Sequence, residues 1–409
     1  MMKIISPKKV AVGALALFSA FYVGCQNTST PSTPTSTPPA PAVSTSPTPV
    51  RLGDEAVEQA FKEVTSRFET EPSGELGYPL VQPLLAEEKL EQIVSLNLED
   101  AKQAKKFESE ILPVLKKSFT SPVFFPKERL LEGQSPVNYR GLRSLVSMVA
   151  QWAEEVWDKG EHDKAIQLGS LPMSLAYAIK SRPETVSVNL FSSSYGEMTL
   201  DLFADWAEEV PNQPKLLQSM RDTLKSNRIP LSHLRETVLV DFAKLSNSLN
   251  DDQARATLGI GQSDPASKER CRSQLTALYL SANELALLKP NSTESFNKLI
   301  TTADGPLQGL VIDYPHIVTI QLHYFSKYRA LEIGLALLSP EGKELRELSS
   351  AQIVEKLFAG EPEAVETLNS LVEVKIDGEE IRVQGKQGRF DLLAPGDPPA
   401  FFEYSKKDD

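Results

Sequence analysis

The residues of this 409-residue chain whose types invite chemistry are two cysteines, four histidines and, among its adjacent glutamates, Glu154/Glu155 and Glu208/Glu209. Of His162, His233, His316 and His323, only the last two fall on one helical face, at i and i+7. A zinc site on a helix needs histidines at i and i+4 with a further ligand, as in His-Glu-x-x-His, and that motif is absent. Flanked by Tyr314 and Tyr324, the pair reads as packing or a polar lining, and no metal or cofactor is expected. Glu154/Glu155 and Glu208/Glu209 are the candidate acid–base carboxylates. Neighbours on a helix point about 100° apart, so neither pair converges on one bond. Solvated helix faces are their expected role. No Gly-x-Ser-x-Gly elbow, phosphate-binding loop or dinucleotide fingerprint occurs. No catalytic residue is therefore assigned, and an active site assembled across distant helices stays open.

Cys25 stands in a different setting. Lys3, Lys8 and Lys9 precede an uncharged, largely apolar run from Val10 to Val23, which Gly24 and Cys25 follow. A basic segment before an apolar core of roughly 7–15 residues is the pattern of a secretory signal peptide, and the run is short of the ~20 apolar residues of a span. Small Gly24 before Cys25 resembles a bacterial lipobox. That resemblance implies cleavage at residue 24 and diacylation of Cys25, and Gln26 implies sorting to the outer membrane in a double-membrane organism. An ordinary signal peptide cut elsewhere, or an uncleaved anchor, would use the same run. Residues 26–50 carry no charge and repeat Ser, Thr and Pro. Such a tract cannot bury enough apolar surface to fold, and at about 3.1 Å per residue it reaches roughly 75 Å. It is expected to be a spacer.

The chain carries 43 basic and 55 acidic residues, a net charge of −12. Losing residues 1–24 removes three lysines and no acid, which leaves a still more acidic remainder. That balance argues against nucleic acid and against polybasic attachment to anionic lipid. With Cys25 committed to lipid, Cys271 has no disulfide partner. Lys268, Arg270 and Arg272 around it would favour a thiolate, but a semi-buried helix residue is the expected role.

Residues 51–371 read as helices. Val57, Phe61, Val64 and Phe68 recur on one face, with Asp54 as cap. Further helices are expected over Ala86–Leu98, Ala101–Lys117, Leu142–Trp157, Glu184–Glu209, Pro214–Ser226, Leu231–Leu249, Pro265–Leu288, Asn291 toward Ile312, Pro315–Leu338, Ser350–Phe358 and Pro362–Leu371. Ser121–Pro126 reads as a proline-bounded connector across the core. Lys159-Gly160-Glu161-His162-Asp163-Lys164-Ala165-Ile166 resembles the turn of a tetratricopeptide repeat, Gly160 permitting the turn and Ala165 the close approach of two helices. The resemblance spans one hairpin, about Leu142–Ile179. A second Trp-Ala-Glu-Glu-Val, Trp206–Val210, echoes Trp152–Val156. Ser192–Gly196 is expected to weaken the helix it sits in.

From residue 372 the period changes to two: Val372, Val374 and Ile376, a turn at Asp377-Gly378, then Ile381 and Val383. Phe390–Leu393 and Phe401–Tyr404 are further strand candidates. Asp397-Pro398 and Tyr404-Ser405 faintly resemble the tail of type II secretion pseudopilins, and similar tails end uncharacterised helical bacterial lipoproteins.

The expected architecture is thus mainly α, stacked antiparallel helical hairpins of tetratricopeptide-like or α-solenoid-like kind, with a small C-terminal β-hairpin or meander. Its parts are a signal peptide (1–24), lipidated Cys25 with its linker (25–50), a helical domain (51–371) and a β appendage (372–409). The expected function is a membrane-anchored envelope lipoprotein that serves as a binding or scaffold module for protein partners. The alternatives are an envelope hydrolase with a dispersed active site, or a secretion or assembly accessory. A deep polar cleft would favour the enzyme, a shallow apolar groove the binding module.

Overall fold

The computed structural model describes residues 75–125, 137–181, 185–230, 232–248, 273–281, 292–302, 314–390, 393 and 398–405, with Gln59, Lys62 and Ser66. They lie in one compact unit, Leu52–Asp409. Cys25, its linker, the apolar face Val57, Phe61, Val64 and Phe68, Cys271 and Asp397 lie outside the described residues.

The protein is mainly helical, with a small antiparallel sheet at its C-terminal end. The helices are α1 (Gly77–Val81), α2 (Glu87–Val94), α3 (Ala101–Lys106), α4 (Leu112–Phe119), α5 (Tyr139–Asp158), α6 (His162–Gly169), α7 (Leu171–Lys180), α8 (Val186–Glu209), α9 (Pro214–Ser226), α10 (Ser232–Ser248), α11 (273–281), α12 (Ser292–Thr302), α13 (Tyr314–Leu338), α14 (Ser350–Leu357) and α15 (Pro362–Leu371).

The helix expected over Ala101–Lys117 is interrupted by a π turn at Phe107–Ile111. Pro113 lacks the amide hydrogen that would bond the Ser109 carbonyl, so the helix widens one turn earlier. The helix expected over Ala86–Leu98 ends at Val94. Gly77–Val81 is a short helix. Its first amides bond across to the connector, Gly77 N to the Val123 carbonyl (3.1 Å) and Tyr78 N to that of Phe124 (2.9 Å). The connector does cross the core: Phe124 and Phe125 are buried, and Phe124 N bonds the Ala178 carbonyl at 3.2 Å.

α5 buries Leu142, Leu145, Val149, Ala153 and Val156, the apolar stripe its sequence carries. Asn138 caps it, its side chain accepting from Gly141 N at 2.8 Å. At the other end Gly160 has φ +79°, Gly160 N bonds the Trp157 carbonyl (2.8 Å) and Glu161 N that of Val156 (3.2 Å). This is a Schellman cap with glycine at its left-handed position. Ala165 is fully buried in α6 beneath it. The chain then breaks at Ser170, because Pro172 suits only the first turn of a new helix. Thr199 of α8 serves that break: its hydroxyl donates to the Gly169 carbonyl (2.6 Å) and accepts from Met173 N (3.2 Å). Trp157, which directly follows the first Trp-Ala-Glu-Glu-Val segment, stacks at 4.4 Å on Trp206, which opens the second.

α13 is the hub, packing against α8, α9, α14, α15 and the sheet. The sheet has order β1 (Val372–Asp377), β2 (Glu380–Gly385), β3 (Ala400–Tyr404), all antiparallel, with a bulge between Val383 and Gln384. Val372, Val374, Ile381 and Val383 turn inward as their alternation requires. The strand expected at Phe390–Leu393 is not formed: Phe390 lies in a bend and Leu393 in a turn, with Phe390 buried as a plug between the sheet and α13.

Candidate functional site

The glutamate pairs and histidines divide among structural duties. Glu209 accepts from Trp157 Nε1 at 2.7 Å, and Glu155 lies 3.9 Å from Lys159. Glu154 has its pKa raised by burial, then by Asp205, Asp158 and Glu155. His162 stacks on Trp157. His323 stands edge-on to Phe390 and Phe401, and burial, then Lys327, lowers its pKa to about 4. Among the described residues no group of three or more His, Cys, Asp or Glu is arranged to hold a metal ion.

What the motifs did not point to is a polar centre where α7, α8, α10 and α13 meet. Its geometry starts at Gly196 in α8: a Cβ there would lie 2.1 Å from Tyr324 Oη. The missing side chain lets α13 come close enough for Gln321 to reach Ser193. Ser193 Oγ donates to Gln321 Oε1 at 3.0 Å, and Lys180 Nζ, at the end of α7, donates to Ser193 Oγ at 2.7 Å. Lys180 is 7 % exposed and its ammonium lies 4.6 Å from the Tyr324 ring centroid. Burial drives the Lys180 pKa down to about 7, with Glu197 pulling it partly back.

A second chain of bonds adjoins the first. Thr237 Oγ1 donates its one hydrogen to the His233 carbonyl (2.9 Å), so it accepts from Asn189 Nδ2 (2.8 Å). Asn189 Oδ1 therefore faces His233, and Nε2 of that imidazole donates to it at 3.0 Å. Burial, then the charge of Lys180, lowers the His233 pKa to about 3, so the ring is neutral at physiological pH.

Between the two chains lies a cavity of about 50 Å³, lined by Lys180, Gln321, His233, Tyr324, Ile229 and Pro230 among others. Beyond it stands a charged cluster. Glu332 accepts from Arg228 (2.6 Å) and Arg329 (2.9 Å), and both arginines also bond Glu361. Two cations and two anions balance there.

No protein family, no curated protein and no solved structure matches this chain.

Chemically, Lys180 and Ser193 are the pair a serine hydrolase would need, a base near neutrality beside a hydroxyl. Here the serine hydrogen is directed at Gln321, however, and the cavity, at about 50 Å³, has room for only a few waters. A second concavity is wide and open. The polar face of α9 (Lys215, Gln218, Ser219, Asp222) and the end of α13 at Ser339 and Pro340 bound a groove of about 790 Å³.

The sequence showed the relevant residues without their roles. Ser192-Ser193 sits within an apolar helical face, where it reads only as a weak point, and both serines are buried. Polar residues inside an otherwise apolar stripe were the available signal.

Proposed function

We propose that the chain is an exported envelope lipoprotein, tethered through diacylated Cys25, whose helical domain binds a protein partner. The observation that carries the binding part is the contrast between concavities: an open groove of about 790 Å³ beside α9, against an interior cavity of about 50 Å³. The groove sets the hydrogen-bonding side chains of α9 among a comparable apolar surface, so a partner there is held by polar and apolar contacts together. The membrane part draws its support from Lys3, Lys8, Lys9, the apolar run to Val23 and the uncharged spacer. Among the described residues no helix is long and apolar enough to cross a membrane; lipid on Cys25 is the proposed hold. In a double-membrane organism Gln26 directs it to the outer membrane.

A hydrolase is the second reading, favoured by the Lys180–Ser193 contact alone. Labelling of Ser193 by a fluorophosphonate would support it. The secretion or assembly reading has only the tail around Asp397-Pro398 behind it.

The anchoring is tested by growing cells with an alkyne fatty acid. The wild-type chain is expected to take up label and sediment with membranes, and Cys25→Ala to lose the label and appear in the soluble fraction. Equal labelling of the two, or a variant that stays with membranes, would overturn the tether.

A further inference from the structure

We propose that the cavity between α7, α8, α10 and α13 binds one short monocarboxylate of formate or acetate size, held by Lys180 Nζ and Gln321 Nε2. Gln321 is 8 % exposed, and its Nε2 has no hydrogen-bond partner among the described residues. Its other amide atom is fixed, because Oε1 accepts from Ser193. The two Nε2 hydrogens are therefore unspent in the interior, where an unmade bond costs about 1–3 kcal/mol. Lys180 Nζ has three hydrogens; one goes to Ser193, and the ammonium also faces the Tyr324 ring. Both residues line the same cavity. Donors that converge without a matching acceptor are complemented by an acceptor-only group, and a cation among them selects an anion.

Size and wall chemistry narrow the anion. About 50 Å³ excludes most metabolites, and Ile229, Leu234 and Phe325 give part of the lining an apolar character that suits a methyl group. The other charged or titratable groups around Lys180 do not compete for the ligand. Glu197 on α8 is felt by Lys180 only at a distance, His233 on α10 is neutral, and Tyr324 and Tyr328 on α13 are held neutral by burial. Arg329 is bonded to Glu332 and Glu361.

A carboxylate beside Lys180 favours its protonated form. Binding therefore weakens as pH rises above about 7, by roughly tenfold per pH unit until the ordinary lysine range is reached.

The test uses the full chain and ¹³C-acetate, with line broadening titrated at constant ionic strength against chloride and read at pH 6 and pH 8. The expected result is saturable broadening at pH 6, weaker by about tenfold at pH 8 and not displaced by chloride. Thermal unfolding gives a parallel reading, acetate raising Tm above its value in chloride. Lys180→Met, in which an apolar chain replaces the buried ammonium, is expected to abolish both effects, and Gln321→Leu to weaken them. Absence of saturable broadening in the wild type would show a cavity filled by water and overturn the proposal, without reference to any variant's folding. Equal displacement by chloride, or unchanged binding in folded Lys180→Met, would overturn it too.

Discussion

Replacing Glu332 by alanine is expected to destabilise the domain by about 3–5 kcal/mol, a large part of the 5–15 kcal/mol that holds a typical domain folded. Glu332 is 3 % exposed and accepts from Arg228 at 2.6 Å and Arg329 at 2.9 Å. Arg329 is 1 % exposed, so it cannot turn to water when its partner goes. Glu361 would then face two guanidinium groups alone, and one buried positive charge would stand uncompensated. The net worth of the intact cluster is a separate quantity. Arg329→Met combined with Glu332→Leu removes one charge of each sign and is expected to recover most of the loss, leaving Arg228 paired with Glu361. Urea unfolding reads both, through the midpoint at unchanged slope. A loss below about 1 kcal/mol for Glu332→Ala would mean that water reaches the cluster.

The second large effect is expected at Gly334, near the C-terminal end of α13. A Cβ there would lie 2.3 Å from Phe402 Cδ1 and 2.5 Å from its Cγ and Cε1, so the ring of β3 lies directly on the helix backbone. Alanine in a helix ordinarily gains about 1 kcal/mol over glycine. Here the clash reverses the sign, since Phe402 is 2 % exposed and has nowhere to turn. Gly334→Ala is expected to cost about 1–3 kcal/mol and Gly334→Val more, as overpacking at a helix–sheet contact does. Phe402→Ala removes the same contact from the other side, at about 3–5 kcal/mol. The double variant Gly334→Ala with Phe402→Ala is expected to cost less than the sum, because the new methyl enters the space the ring leaves. Full additivity in urea would mean that the two residues do not touch.

How much of this the chain discloses in advance depends on what each helix faces. α5 packs on one side, so its apolar stripe, its Gly160 end and the hairpin to α6 are legible, whereas its start at Tyr139, capped by Asn138, lies before the expected Leu142. The inward alternation of Val372, Val374, Ile381 and Val383 is legible for the same reason, one buried face and one wet one. α13 is different. It is packed by helices and sheet together, so it has no long polar stripe. Gln321, Arg329 and Glu332 point inward, to partners that lie 128, 32 and 104 residues away along the chain at Ser193, Glu361 and Arg228. No local pattern encodes such pairings. Gly196 and Gly334 illustrate the same limit: each looks like a weak point in a helix, and each is the place where another element comes closest. Pro113 and Pro172 are read correctly as interruptions only once it is known what satisfies the freed backbone groups, for Pro172 the hydroxyl of Thr199.

The proposed binding function rests most heavily on the groove beside α9, where a tethered domain would meet its partner. Gln218, exposed on that face, is the position from which to ask. A photo-activated crosslinking residue placed there, in intact cells, is expected to give one discrete adduct that recurs between cultures and disappears in the Cys25→Ala background. The same crosslinker at exposed Glu110, which does not line the groove, is expected to give none. Adducts equal at both positions, or none at Gln218 in a chain shown to be at the membrane, would contradict the binding function proposed for this face.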